Sequence, residues 1–265
     1  MRKLLYDEFW PESWKYSYFY DCIEINGSKK SLGYAYAYQQ RTKHTLELIQ
    51  KVAKSGAKVL DIAAAQGNFS LRLAELGYEV TWNDLRDELV DYVKLKHEKG
   101  VIHYWPGNIL DLDTNHDFDV VLLAEVIEHV AHPDQLLKKV AEFVKPGGYI
   151  VMTTPNGEYF RNRLPRFSDC SDPARFESVQ FKPNADGHIF LLHTDEICQI
   201  TQSANLTLEE IRLFTNSLTN GHIKLGMLLK LWPQSWVYAV ESLTQKLPQT
   251  LKRKLTTSAA ALIRC

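Results

Sequence analysis

Ten residues, Val59 to Asn68 (Val-Leu-Asp-Ile-Ala-Ala-Ala-Gln-Gly-Asn), constrain the rest of the chain most tightly. Val59, Leu60 and Ile62 form a short apolar run broken by one acid, Asp61, and small residues follow at Ala63, Ala65 and Gly67. Asn68 then opens an amphipathic segment through Phe69, Leu71, Leu73, Ala74 and Leu76, which stops at Gly77. The pattern predicts a buried strand, a tight small-residue turn and a helix. Such a turn lets a ligand approach the backbone and meet the N–H groups at the start of a helix.

The same rhythm continues downstream. Strands are expected over 58–63, 78–83, 101–105, 118–124 and 149–154, and helices over 68–77, 86–98 and 133–144. Phe118 to Ala124 is apolar throughout after Asp119, and continuous apolar strands alternating with helices argue for a parallel sheet covered on both faces. Upstream, residues 40–54 read as a helix stopped by Gly56, and residues 1–38 as an aromatic-rich cover. The alternation Tyr34-Ala-Tyr36-Ala-Tyr38 reads as a strand or an irregular lid, and the rings either pack on the core or wall a pocket. Residues 155–190, with Pro155, Pro165, Pro173 and Pro183, lack periodicity and read as a lid. A helix capped by Thr194 is expected over 194–204 and a strand over 206–215. Residues 222–265 read as helical, interrupted at Pro233 and Pro248. This divides the chain into a cover (1–44), a central α/β domain (45–216) and a basic helical C-terminal segment (217–265).

Composition narrows the partners. Net charge is −1 over 265 residues, which gives no overall bias toward DNA or RNA. From Ser217 onward, however, seven Lys and Arg face one acid, Glu241. With Met227-Leu-Leu229, Trp232 and Trp236, this segment is basic and amphipathic and suits a homodimer interface or peripheral contact with an anionic membrane. Four dispersed cysteines (Cys22, Cys170, Cys198, Cys265) fit free thiols in a reducing, cytoplasmic setting. The N-terminus lacks the apolar core of a signal peptide, and no apolar run is long enough to predict a spanning helix.

The dinucleotide fingerprint G-x-G-x-x-G fails at Ala63, Ala65 and Asn68, whereas the spacing D-x-small-x-small-x-Gly from Asp61 to Gly67 fits better. Here the chain resembles the Rossmann-like S-adenosylmethionine (SAM)-dependent methyltransferases, whose first motif is typically D-x-G-x-G-x-G. Further motifs follow in order: Asn83-Asp84-Leu85, Gly107-Asn108-Ile109, Phe118 to Val130, Pro133, Lys145-Pro-Gly-Gly148 and Thr154-Pro155-Asn156. The resemblance covers roughly residues 45–215. It implies a seven-stranded, mostly parallel α/β sheet with helices on both faces and SAM as cofactor. It also implies a set of cofactor contacts: Asp61, Ala63, Ala65 and Gly67 at the turn, Asp84 on the ribose hydroxyls and Leu85 beside the adenine. Asn108 and Ile109 would lie near the adenine amino group, and Ala124 and Glu125 beside the cofactor. Because alanine takes φ > 0 with difficulty, the turn is expected to use ordinary backbone angles or to sit slightly farther from the ligand.

Two schemes for the chemistry are open. Glu125-x-x-Glu128-His129, with His188 closing from the lid, is similar to the metal constellation of small-RNA 2′-O-methyltransferases and ubiquinone-pathway O-methyltransferases. Such a set suits Mg²⁺, Mn²⁺ or Zn²⁺. Without metal, His129 or His188 would act as general base. Arg161, Arg163, Arg166 and Arg175 in the lid are candidates to grip an anionic group. The expected activity is O-methylation of a small-molecule or carrier-bound acceptor (a secondary metabolite, sugar or quinone-like compound). Its rivals are RNA-end 2′-O-methylation and a non-catalytic binding subunit.

Overall fold

The computed structural model describes residues 1–27, 29–113, 117–180, 187–221 and 226–265. Pro183 and Asp186 of the expected lid, and Lys224 and Leu225 of the basic segment, lie outside them. β1 (Lys58–Ile62) lies inside a seven-stranded sheet of order β3-β2-β1-β4-β5-β7-β6. The partners are β2 (Glu79–Trp82), β3 (Val101–Tyr104), β4 (Phe118–Ala124), β5 (Val144–Pro155), β6 (Thr207–Asn216) and β7 (Thr256–Arg264). β1 to β5 pair in parallel, and β7 runs antiparallel to both β5 and β6.

Alternation along β4 explains why its sequence is apolar from Val120 onward. Val121 and Leu123 face one core with Leu60, Met152 and Phe190, and Val120 and Leu122 face the other with Val59, Val151 and Leu73. Successive side chains of a strand point to opposite faces, so a strand covered on both sides has no solvent position. The helices are α1 (Glu12–Glu24), α2 (Leu32–Val52), α3 (Asn68–Glu75), α4 (Leu89–Lys96), α5 (Pro133–Ala141) and α6 (Thr194–Ser203). Between β6 and β7 come α7 (Gly226–Leu231), α8 (Gln234–Gln245) and α9 (Gln249–Leu255).

Three local expectations change. Tyr34 to Tyr38 form neither strand nor irregular lid but lie in α2. The intervening alanines favour helix, and helical spacing sends Tyr34 and Tyr38 to one face while Tyr36 packs with Leu229 and Val237. Thr194 does not cap its helix. His193 takes the cap position, with its N–H donating to Glu196 Oε2 (2.9 Å), and Thr194 Oγ1 donates to Glu158 (2.6 Å).

The last nine or so residues are a strand, not a helix. Pro233 and Pro248 do precede helices, where a missing N–H costs nothing. Ala259-Ala-Ala-Leu-Ile263, though, is buried within the sheet, because the slot between β5 and β6 needs a strand with small side chains. Pairing on both edges overrides the helical preference of alanine. Since β7 runs against the other strands, its first residues, Thr257 and Ser258, reach the end of the sheet where β1 and β4 finish. Among the described residues no helix is long and apolar enough to cross a membrane.

Candidate functional site

The carboxyl ends of β1 and β4 open into a cavity of about 730 Å³, within the range of small-molecule sites. Ala63, Ala64 and Ala65 form its floor. Ala63 (φ 52°), Ala65 (φ 47°) and Gly67 (φ 72°) are all left-handed. The expectation of ordinary angles is therefore wrong: the turn keeps the conformation of a glycine motif and carries methyl groups in it. Each alanine carries a cost of ~1–2 kcal/mol there, a kind of strain that collects at functional sites. Tertiary bonds hold it: Trp82 Nε1 donates to Ala65 O (3.0 Å) and Ala64 N to Asn83 O (2.8 Å). Gly67 cannot be exchanged in the same way, because a Cβ there would lie 2.8 Å from Val93 Cγ1.

Asp61 is buried under the turn and accepts from Ser70 Oγ (2.5 Å). Burial pushes its carboxyl up to about 7, Ser70 opposes this, and the nearby charge of Asp84 adds to it. Asp84, also buried, accepts from Ala65 N (2.8 Å) and from Arg86. Leu85 is 51% exposed. Asn108 is used within its own loop, donating to Asp111 (3.0 Å) and accepting from Leu110 N (3.2 Å), and Ile109 is packed in the core. Gly67, Asp84, Leu85, Asn108 and Ile109 do not line the cavity, whereas Asp61, Ala63, Ala65, Ala124 and Glu125 do, and Arg86 lines it beside Asp84.

Sequence reasoning missed Arg41. It projects from α2, partly buried, with Nη1 2.8 Å from Glu125 Oε2 and the guanidinium 5.3 Å from the centre of the Tyr38 ring. Burial opposes its charge, and Glu125, Tyr34 and Glu24 outweigh that and hold it charged above the usual arginine range. Its Nε is buried without a hydrogen-bond partner among the described residues. The signal was Tyr34, Tyr38 and Arg41 at helical spacing.

The aromatic N-terminus supplies part of the wall, since Tyr16, Tyr20, Tyr34 and Tyr38 line the cavity, as Phe69 of α3 does. α1 is fastened to the turn by two carboxylates. Glu24 accepts from Gln66 Nε2 (3.0 Å), Asn68 Nδ2 (2.8 Å) and Tyr34 OH (2.8 Å). Asp21 pairs with the buried ammonium of Lys96 (2.8 Å), which also donates to Gln66 O (2.9 Å) and Asn68 Oδ1 (2.6 Å). All the donors of Lys96 are used, as a buried charge requires.

Past β4 the chain places the remaining candidates. Glu125 is itself left-handed (φ 55°), and its carboxylate takes Arg41 and Thr153 Oγ1 (3.0 Å). A single tight turn, Ile127–His129, carries Glu128 inward to full burial. Ile189 N donates to Glu128 O (2.7 Å), which brings His188 alongside, and the His129 and His188 ring centres lie 4.9 Å apart. Ligand-capable atoms of Glu128, His129 and His188 all fall within 4.8 Å of one another. Three of the four expected residues thus converge, while Glu125 is not part of that group and faces Arg41.

Glu128 Oε2 accepts from Thr154 Oγ1 (3.1 Å), and Oε1 is buried with no hydrogen-bond partner among the described residues. Burial first, and then the charge of Glu125, raise its carboxyl well above the usual range. A second group, His193, Asp195 and Glu196, is engaged by Arg166 and by backbone N–H groups. His103 sits at the surface beside Glu79.

A family model described as "Methyltransferase domain" matches residues 34–211 of this chain. The chain belongs to the class I SAM-dependent methyltransferases. Curated relatives are named ubiquinone biosynthesis O-methyltransferase. The protein from Shewanella halifaxensis (strain HAW-EB4) is 33% identical over 105 residues, 38% of this chain and 44% of the relative. That from Xanthomonas oryzae pv. oryzae (strain PXO99A) is 34% identical over 140 residues, 45% of this chain and 59% of the relative. The chain therefore spans about half the length of the curated relatives it matches.

The fold is shared with a putative sarcosine dimethylglycine methyltransferase from Galdieria sulphuraria (TM-score 0.59, 12% identity, 96% of this chain and 98% of that one). It is shared also with a SAM-dependent methyltransferase from Mesorhizobium loti (TM-score 0.58, 14% identity, 84% and 96%).

The residues of this methyltransferase fit its cofactor, SAM. The turn offers backbone at a helix start, Asp84 a carboxylate at its side, and Arg41 a partly buried cation whose Nε has no hydrogen-bond partner among the described residues. A divalent metal also fits Glu128, His129 and His188, because a buried carboxylate oxygen without a donor is the kind of atom a cation satisfies.

Proposed function

We propose that this methyltransferase transfers a methyl group to a hydroxyl of an aromatic, quinone-like small molecule. The observation that carries the reading is the convergence of Glu128, His129 and His188 on a cavity whose floor is the cofactor turn. The names of the curated relatives and the tyrosine-rich wall support a flat ring as acceptor.

On this reading Asp84 accepts from the ribose and Arg41 takes the methionine carboxylate through its unpaired Nε. Bound there, SAM supplies a sulfonium-activated methyl group and leaves as the thioether S-adenosylhomocysteine. Tyr34, Tyr38, Phe69, Pro155 and Leu191, which line the cavity, confine the acceptor, so that its oxygen meets the methyl carbon in line. His129 or His188 accepts the hydroxyl proton as the new O–C bond forms.

Glu128, His129 and His188 are the residues that would hold Mg²⁺, Mn²⁺ or Zn²⁺, and such an ion would lower the pKa of the acceptor hydroxyl. The partner is a small molecule, not an extended nucleic acid, since the chain as a whole carries almost no net charge.

Incubation with SAM and a catechol- or hydroquinone-type acceptor tests the reading by mass spectrometry. The expected product gains one methyl group on oxygen. Methylation of the matching aniline instead of the phenol overturns the oxygen preference.

A further inference from the structure

The carboxylate of Asp84 is fully subscribed. Oδ1 accepts from Arg86 N (3.0 Å) and Arg86 Nε (2.9 Å), and Oδ2 accepts from Ala65 N (2.8 Å) and Arg86 Nη2 (3.1 Å). A carboxylate has about four lone-pair positions, and here all four are taken. Two of the donors are backbone N–H groups fixed by the turn and by the chain after β2. The other two belong to one guanidinium in the bidentate fork that arginine makes with carboxylates.

A ribose diol needs two acceptor positions on the same carboxylate, and the guanidinium holds the only two that side-chain movement can vacate. We propose that Arg86 is an internal competitor for the ribose subsite, so that the Arg86–Asp84 fork and cofactor binding are mutually exclusive. Arg86 would then be a positioning residue that sets cofactor affinity. The inference rests on the placement of the ribose at Asp84 proposed above.

The geometry allows the exchange. Arg86 lines the cavity, and its side chain is 41% exposed, so it swings outward without disturbing the core. Glu88 and Tyr16 are close enough to act on its charge, and Glu88 offers the displaced guanidinium a second carboxylate. Asp84, at 4% side-chain exposure, is rigid by comparison. The pair therefore has one fixed and one mobile partner, and the mobile one yields.

Calorimetric titration of S-adenosylhomocysteine into the wild-type chain, Arg86→Ala, Arg86→Lys, Asp84→Asn and the Asp84→Asn/Arg86→Ala double variant tests this. Arg86→Ala is expected to bind roughly three- to tenfold more tightly, the scale of a released charge-assisted hydrogen-bond pair. Arg86→Lys, whose single ammonium cannot span both oxygens, is expected to fall between it and wild type. The gain should shrink at high salt, where a partly exposed pair is screened, and vanish in the Asp84→Asn background. Equal or weaker binding by both Arg86 variants, with Asp84→Asn still weakening the wild type, overturns the competition and leaves the ribose placement standing. An unchanged affinity in Asp84→Asn overturns the ribose placement itself, and the competition with it.

Discussion

Glu125 Oε2 lies 2.8 Å from the guanidinium of Arg41, joining the end of the fourth strand to the helix that crosses the cavity. Both residues line the same cavity as the turn and the Glu128–His129–His188 group. The pair leaves Arg41 Nε buried without a hydrogen-bond partner among the described residues.

Arg41→Ala is therefore expected to weaken S-adenosylhomocysteine about ten- to hundredfold, the value of a hydrogen bond between charged groups. Adenosine, which has no carboxylate, should lose much less. Calorimetry with both ligands checks this. An equal loss for the two would mean that Arg41 merely supports the pocket, and that its role is to neutralise Glu125.

The turn makes a second prediction in which neighbouring positions respond in opposite ways. Ala63→Gly and Ala65→Gly relieve a left-handed alanine (~1–2 kcal/mol) and incur the chain entropy of glycine (~0.4–1 kcal/mol). Each should change stability by between zero and about 1 kcal/mol in the favourable direction. Gly67→Ala instead adds a left-handed alanine and a methyl group 2.8 Å from Val93, so a loss of about 2–4 kcal/mol is expected. Urea unfolding of the three variants decides. Destabilisation by the first two, of the same size as by the third, would show that the alanine methyl groups pack and do not strain.

That contrast also marks how far the sequence could be read. The strand, turn and helix from Val59 to Leu76, the position of Asp84 and the covered strand Phe118–Ala124 were legible, because each depends on local periodicity or fixed spacing. Retention of glycine at 67 alone was visible too, but its reason was not: Val93, which excludes a Cβ, comes from the helix expected over 86–98, whose packing against the turn is a tertiary contact that local periodicity does not show. β7 was illegible because Ala259 to Ala261 favour helix until β5 and β6 supply a slot for them. Arg41 was illegible because its meaning depends on Glu125, far away along the chain. The alternating tyrosines misled because period two over five residues is also Tyr34 and Tyr38 one helical turn apart.

Asp61 supplies a prediction in pH. Its folded carboxyl stands at about 7, raised by burial above the ordinary value of 3.8. The folded state therefore holds a proton that the unfolded chain releases. The stabilisation is fully present below pH ~4 and is lost as pH rises through about 7. Asp61→Asn removes this titration. The stability difference between the variant and wild type, measured by denaturant unfolding across that range, should move in favour of the variant as pH rises. A difference that stays flat with pH would refute the raised carboxyl.

The proposed metal set makes the last prediction, readable without turnover. Glu128 favours its neutral form because it is fully buried and faces the charge of Glu125, whereas a metal ligand must be ionised. Binding of Mn²⁺ or Zn²⁺ should therefore release protons and tighten as pH rises, with buffer-dependent heats in calorimetry. Glu128→Gln and His188→Ala should each weaken the metal by at least tenfold. Both variants should leave S-adenosylhomocysteine affinity close to wild type. In the catalytic assay, EDTA should then reproduce the His188→Ala defect. Turnover that survives chelation, with no metal heat at any pH, would remove the ion and leave His129 or His188 as the base that takes the hydroxyl proton.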